Sequence, residues 1–261
     1  TVLDPATAPY LEGTVTAAGS GTPLAATIAV GPYSASSDAG TGAYSIQVPE
    51  GTYDVTATAP GHAPATASGV VLGTLQTVIR DFALAPYVAV LDDTVESGNL
   101  GWTAQAPWAI TTAQSHTPTH AWTDSPAGSY GNNVNSSLTS SAIDLSSAVG
   151  VELSFWQRYA TEPGYDFCHV EISADNGATW TEIATFDGTN TTWTRQSFVV
   201  PALIGATQAR VRFRLTTDSN TVADGWYVDD IALSAAFPPP TGLFADGFES
   251  GGVSNWSTSV P

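Results

Sequence analysis

Alternation of apolar and polar residues recurs along this chain and constrains its fold more than any other feature. The clearest stretches are 44–48, 52–57 and 226–233, and turn residues such as Asn176-Gly177 separate other alternating runs. Because successive side chains of a strand point to opposite faces, this period of two predicts half-buried strands, and the Asn-Gly pair predicts a hairpin. Helical periodicity is nearly absent, so the sequence predicts an all-β protein.

The length of 261 residues suggests two domains. We predict a small antiparallel β-sandwich followed by a larger β jelly-roll sandwich. The predicted segments are an extended N-terminal arm (1–9), the small sandwich (10–86), the jelly roll (87–236), a proline-rich linker (237–242) and a C-terminal tail (243–261).

The first sandwich carries a recognisable set of motifs. They are Leu11-Glu12-Gly13-Thr14-Val15, Gly42-Ala43-Tyr44-Ser45, Val48-Pro49-Glu50-Gly51-Thr52-Tyr53-Asp54-Val55, Ala59-Pro60-Gly61-His62 and Asp81-Phe82-Ala83-Leu84. With them the segment resembles the carboxypeptidase-regulatory-like family of transthyretin-type (prealbumin-like) sandwiches. The resemblance implies a non-catalytic spacer or adhesive unit.

The larger segment is similar to a second family. Its motifs are Leu153-Ser154-Phe155-Trp156, the run 170–180, Arg210-Val211-Arg212-Phe213-Arg214 and Gly225-Trp226-Tyr227-Val228-Asp229-Asp230-Ile231. These residues resemble the MAM-like jelly rolls attached to secreted bacterial peptidases of the immune-inhibitor-A type. The catalytic zinc motif of those peptidases is absent, so the resemblance implies only their accessory module, located outside a bacterial cell.

Two acidic stretches suggest a cation site. Asp229 and Asp230 are adjacent in the last predicted strand, so only one of them should point inward, and Asp93 and Glu96 occupy the first strand of the same sandwich. An inward carboxylate without a basic partner is costly unless it is protonated or holds a cation. We expect Asp93, Glu96 and Asp230, with Asp229 as the alternative register, to bind calcium, and carbonyl groups of the 116–120 loop to complete the shell. The resemblance to MAM-like and carbohydrate-binding jelly rolls also implies a structural calcium near this place.

Other polar positions have a functional and a purely structural interpretation. Asp124, Asn132 and Asn133 are candidates for a second cation or glycan loop, although turn chemistry accounts for them equally well. The glycosylation candidates are Asn135, Asn190 and Asn255, and the candidate sugar platforms are Trp102, Trp108 and Trp122, which lie nearer loops than the other tryptophans.

The sequence offers no catalytic residues. His116 and His120 have the spacing of a helical metal pair, but Pro118 argues against a helix there. Cys168 and His169 would face opposite ways in a strand, which disfavours thiol catalysis, and Cys168 is expected to be buried. Nucleophile elbows, phosphate loops and His-Glu-x-x-His zinc motifs do not occur, so we expect no enzymatic activity from this chain.

The charge composition excludes two classes of partner. The formal net charge is −18, and the six basic residues are all arginine and scattered. Binding to nucleic acid or to anionic lipid requires clustered cations, which this chain does not supply. Low lysine with abundant serine, threonine, glycine and proline is typical of extracellular β proteins.

Three functions remain open from the sequence. The tail 243–261 repeats the jelly roll's first strand, with Asp246 matching Asp93 and Glu249 matching Glu96. It predicts head-to-tail filaments of identical copies joined by strand addition, unless the tail is a sorting or secretion signal or the beginning of another domain. The alternative is an accessory region of a secreted peptidase or glycan-degrading enzyme, which binds a protein or carbohydrate substrate. A stand-alone lectin is the third hypothesis.

Overall fold

The computed structural model of the protein describes residues 5–239 and shows an all-β fold, which confirms the predicted fold class. Strands occupy most of this range, and its helical structure is a single 3₁₀ turn at Pro201–Leu203. The predicted tail 243–261 and most of the predicted linker lie outside the described residues.

The small sandwich consists of eight strands. They are β1 (Tyr10–Ala17), β2 (Thr27–Val30), β3 (Tyr33–Ser36), β4 (Ala43–Gln47), β5 (Gly51–Thr58), β6 (Ala65–Leu72), β7 (Thr77–Ile79) and β8 (Phe82–Leu84). One sheet has the order β4-β1-β7 with β8 also on β1, and the other has the order β3-β2-β5-β6. Leu11, Ile28 and Leu72 are among the side chains that close the core between the two sheets.

The described part of the predicted extended arm, residues 5–9, lies against the small sandwich. Residues 5–7 form a turn, and Ala8 and Pro9 are buried. The amide of Leu75 donates a hydrogen bond to the carbonyl oxygen of Thr7 at 2.9 Å. The described part of the arm is therefore packed on the small sandwich, because its two apolar residues find a surface there.

The larger sandwich consists of eleven strands. They are β9 (Tyr87–Asp93), β10 (Thr103–Ala104), β11 (Ala109–Thr111), β12 (Ala121–Thr123), β13 (Asn135–Thr139), β14 (Gly150–Ala160), β15 (Phe167–Ser173), β16 (Thr181–Phe186), β17 (Thr189–Val199), β18 (Arg210–Thr216) and β19 (Gly225–Ala236). One sheet has the order β10-β13-β18-β15-β16, and the other has the order β11-β12-β19-β14-β17 with β9 also on β19.

Aromatic side chains fill the space between these two sheets. The ring of Phe213 lies edge-on to Phe155 and Trp226, with centroids 5.0 and 5.6 Å apart, and is tilted against Trp102 at 6.0 Å. All four are buried. Such offset arrangements suit the ring quadrupoles, and the burial of this much apolar surface stabilises the sandwich.

Small residues join the two sandwiches. Ala63, Ala85 and Ala236 form a separate buried cluster, against which Tyr87 packs. A Cβ atom placed on Gly150 would lie 2.5 Å from that of Ala63, so only glycine fits there. The two cores therefore meet through a tight contact instead of a loose tether.

Candidate functional site

Strands β9 and β19 bring the two predicted acidic stretches together. Asp93 is paired with Ile231, the residue after Asp230, in the antiparallel ladder between these strands. The first and last strands of the larger sandwich are thus neighbours, and their acids lie at the same place in the sheet.

Asp93 is fully buried, and its carboxylate binds the loop that follows it. Its Oδ1 accepts a hydrogen bond from the amide of Val95 at 2.8 Å, and its Oδ2 accepts one from Nε1 of Trp102 at 2.7 Å. Both oxygens are therefore satisfied by protein donors, which is what a buried carboxylate requires.

A β-bulge changes the predicted orientation of Asp229 and Asp230. The register between β14 and β19 shifts between Ser154 and Trp156, opposite these acids, and Asp230 has a φ of +46°. A bulge inserts an extra residue and interrupts the strict alternation of side chains. The expectation that only one of the two acids points inward is corrected, because both carboxylates contact the same loop.

The contacted loop spans residues 112–120, between β11 and β12. Oδ2 of Asp229 accepts hydrogen bonds from the amides of His116 and Thr117 at 2.7 and 3.2 Å. The carboxylate of Asp230 lies 2.5 Å from Nδ1 of His116 and accepts a hydrogen bond from Oγ1 of Thr117 at 2.8 Å. Burial raises the pKa of Asp229 to about 6, although these amides oppose the shift.

Glu96 binds the other end of this loop. Its Oε1 accepts hydrogen bonds from the amides of Thr119 and His120 at 2.5 and 2.7 Å. Amide groups, and not the expected carbonyl groups, thus face the acids along the loop. Converging amides favour anions, so they already compensate much of the charge that a cation would neutralise. Calcium binding by Asp93, Glu96, Asp229 and Asp230 would require these donors to be displaced, and it stays a prediction.

The loop also builds an aromatic cluster on the outer face of the six-stranded sheet. The ring of His116 stacks on Trp156 at 3.7 Å with an interplanar angle of 12°, and Trp193 approaches it edge-on at 6.0 Å. His116 and His120 lie outside helices, as Pro118 predicted.

The second predicted polar loop is held by hydrogen bonds to the β18–β19 connection and to the start of β19. Nδ2 of Asn132 donates to the carbonyl oxygen of Ser219 at 3.0 Å, and the amide of Asn133 donates to that of Asp218 at 2.5 Å. Asp124 is fully buried, its Oδ1 accepts a hydrogen bond from the amide of Trp226 at 2.6 Å, and burial raises its pKa to about 7.

The predicted sugar platforms are not accessible. Trp102, Trp108 and Trp122 are 4%, 4% and 2% exposed and belong to the core of the larger sandwich. Proximity to loops suggested exposure, but the sandwich closes over these rings because each offers a large apolar surface. Among the described tryptophans, the half-buried ones are Trp156, Trp180 and Trp193.

The outer face of the five-stranded sheet carries a fixed charged array. Arg212 and Arg214 alternate with buried core residues along β18, and both donate to the carboxylate of Glu171 at 2.6–3.0 Å. The guanidinium of Arg212 lies 4.0 Å above the ring of Trp180. These two arginines hold the pKa of Glu171 below its usual range, against the effect of burial. We call Glu171, Trp180, Arg212 and Arg214 the arginine–tryptophan array.

His169 extends this array along β15. Its Nδ1 lies 2.5 Å from Oε2 of Glu182, and its Nε2 lies 2.9 Å from Oγ1 of Thr216. The preceding residue, Cys168, is fully buried, as predicted, and burial raises the pKa of its thiol well above the usual range.

Three further acids meet at one end of the larger sandwich. Glu162, Asp166 and Asp218 each place an oxygen within 4.8 Å of the others. They come from two connections that are distant in sequence, so the sequence gave no local pattern that would single them out.

The glycosylation candidates differ in their surroundings. Asn135 is exposed at the start of β13, whereas Nδ2 of Asn190 donates to Oγ1 of Thr194 at 3.0 Å. Asn255 lies outside the described residues. Glycosylation stays a prediction.

Across residues 5–239, no helix has the length and apolar character needed to cross a membrane.

No family model matches this chain, and comparison of sequences finds a distant relative. Bacillopeptidase F of Bacillus subtilis strain 168 is 26% identical over 107 residues, which cover 41% of this chain. The match spans only 7% of the length of that relative.

Solved structures that resemble this chain include carbohydrate-binding modules and adhesin domains. A galactotriose complex of TmCBM61 has a TM-score of 0.41 and 13% identity, covering 56% of this chain and 97% of its own. The CBM22-1 xylan-binding domain of Paenibacillus barcinonensis Xyn10C has a TM-score of 0.42 and 12% identity, and the match covers 59% of this chain and 97% of that domain. The K3 adhesin domain of Lys-gingipain from Porphyromonas gingivalis has a TM-score of 0.43 and 16% identity, and the match covers 56% of this chain and 99% of that domain. TM-scores and sequence identities this low support no inference about the ligand or the activity of this chain.

Proposed function

We propose that this chain is a non-catalytic accessory region of an extracellular protein, in which the larger sandwich binds carbohydrate and the small sandwich is a spacer. The arginine–tryptophan array on the five-stranded sheet is the binding surface in this proposal. The match to a segment of Bacillopeptidase F supports placement beside a peptidase.

The array is the observation that carries the proposal. Glu171 fixes two guanidinium groups on one face of a rigid sheet, and only 20% of each arginine side chain is exposed. Of the guanidinium nitrogens of Arg212, only Nε donates to an acceptor within residues 5–239, so the two Nη atoms are available to a ligand. Donors held in place before binding lose little conformational freedom on binding.

The chemistry of the array suits a polyhydroxylated ligand. Ring oxygens and hydroxyl groups of a sugar accept hydrogen bonds from guanidinium groups, and the half-buried Trp180 offers an apolar surface beside them. Glu182, whose carboxylate also contacts His169, adds an acceptor at the edge of the same face. A few fixed polar groups next to an aromatic ring are typical of small-ligand sites.

The test is binding to a panel of soluble polysaccharides that includes xylan and β-1,4-galactan, measured by affinity electrophoresis and calorimetry on the full chain. We expect Trp180→Ala and Arg212→Ala to weaken binding at least tenfold. Trp193→Ala is the matched control, because Trp193 is half-buried on the other sheet, and it should bind like the unmodified chain.

Two results would contradict the proposal. One is the absence of binding to every polysaccharide in the panel. The other is equal weakening by Trp193→Ala and Trp180→Ala, which would place the site elsewhere.

Head-to-tail assembly is a separate hypothesis. It rests on residues 243–261, which lie outside the described residues, and it stays a prediction. Deletion of 243–261 followed by electron microscopy tests it, since filaments should appear only with the intact chain.

A further inference from the structure

We propose that Glu162, Asp166 and Asp218 hold one calcium ion at the loop end of the larger sandwich. This site differs from the acids of β9 and β19, and it does not depend on carbohydrate binding.

Two loops that are distant in sequence supply the three carboxylates. Glu162 and Asp166 belong to the connection between β14 and β15, and Asp218 belongs to the connection between β18 and β19. One oxygen from each lies within 4.8 Å of the other two. The amide of Asp166 donates to the carbonyl oxygen of Glu162 at 3.1 Å, so a single turn places these two acids side by side.

The donors around the cluster carry no formal positive charge. Fully buried Asp166 accepts hydrogen bonds from the hydroxyl of Tyr130 at 2.6 Å and from the amide of Asp218 at 2.8 Å. The side chain of Asp218 accepts one from the amide of Asn220 at 2.9 Å. None of the ion pairs found in residues 5–239 includes any of the three acids. Three like charges at this separation repel one another strongly.

One oxygen of these three acids has no hydrogen-bond partner in the part of the protein that the structure describes. Oε2 of Glu162 is enclosed by protein and receives no hydrogen bond from any described residue. A buried polar atom without a partner is costly, so native proteins normally satisfy it. A cation at the centre of the cluster would supply that partner and would remove the mutual repulsion.

The dimensions and the ligand chemistry favour calcium. Calcium binds six to eight oxygens at roughly 2.3–2.6 Å, so two of its ligands lie at most about 5 Å apart. Magnesium requires a smaller and more regular octahedron, with distances of about 2.1 Å. Three carboxylates can supply up to six oxygens, and the bound ion would tie the two loops together.

Calcium titration of the chelator-treated full chain by calorimetry tests the site, together with thermal unfolding in calcium and in EDTA. We expect one calcium per chain and a higher Tm with calcium. Glu162→Gln and Asp218→Asn should weaken calcium binding at least tenfold, with unchanged circular dichroism. Glu162 and Asp218 are half-buried, so the side-chain amides of the two variants fit in their places. In EDTA these variants should unfold at the same or a higher temperature than the unmodified chain, because one repelling charge is gone.

Asp38→Asn and Asp144→Asn change exposed acids outside both acidic clusters and are the matched controls, which should keep calcium affinity within about twofold. Three results would overturn the assignment: no calcium binding by the unmodified chain, unchanged affinity in Asp218→Asn and Glu162→Gln, or equal loss of binding in the controls. Glu96→Gln identifies the alternative, because loss of binding in that variant alone would place the ion at the β9 and β19 acids.

Discussion

The buried carboxyl of Asp124 predicts that this acidic protein is more stable at pH 5 than at pH 8. Burial raises the pKa of Asp124 to about 7 from an ordinary value of 3.8, and burial acts in the same direction on Asp229. Between pH 3.8 and pH about 7, Asp124 keeps in the folded state a proton that it has released in the unfolded chain. The free energy of unfolding therefore falls as the pH rises, and the contribution is complete below pH about 4 and lost through pH about 7.

The size of this effect follows from the shift. One unit of pKa difference corresponds to about 1.36 kcal/mol, so Asp124 contributes about 3 kcal/mol of the difference in stability between pH 5 and pH 8. Acids whose pKa is lowered, such as Asp175 with a pKa of about 2, titrate below this window and do not offset it.

Urea unfolding at pH 5 and pH 8 in EDTA measures this difference. Asp124→Asn keeps an acceptor for the amide of Trp226 and cannot ionise, so we expect the pH dependence to shrink by about 3 kcal/mol. Asp144→Asn makes the same charge change at an exposed site and should leave it unchanged. Two results would refute the reasoning. One is equal stability of the unmodified chain at both pH values, and the other is the same change in the free energy of unfolding with pH in Asp124→Asn and Asp144→Asn.

Three further changes have expected outcomes. Phe213→Ala should lower the free energy of unfolding in urea by about 3–5 kcal/mol, because it empties the centre of the aromatic core. Gly150→Val should push Ala63 away, separate the two sandwiches and increase the radius of gyration in X-ray scattering, whereas unchanged scattering would contradict the tight contact. Glu171→Gln should destabilise the chain by about 1–3 kcal/mol at low salt, because Arg212 and Arg214 lose their counter-charge while remaining partly hydrated.

The amino-acid pattern alone determined the fold class and the orientation of many side chains. The alternation along Arg210–Thr216 separates outward arginines from inward Val211, Phe213 and Leu215, as the structure confirms. The acids of the first and last strands also meet, as their positions predicted. These features are local or nearly so, because strand periodicity depends only on neighbours in sequence.

Tertiary structure alone decided what the acids contact and which aromatic rings are accessible. The bulge at Asp230 depends on the register with β14, and the burial of Trp102 depends on the opposite sheet. Glu162 and Asp218 are far apart in sequence and meet only because strand order places their loops at one end of the sandwich. Local periodicity carries no information about such contacts, since they arise when non-neighbouring strands pack together.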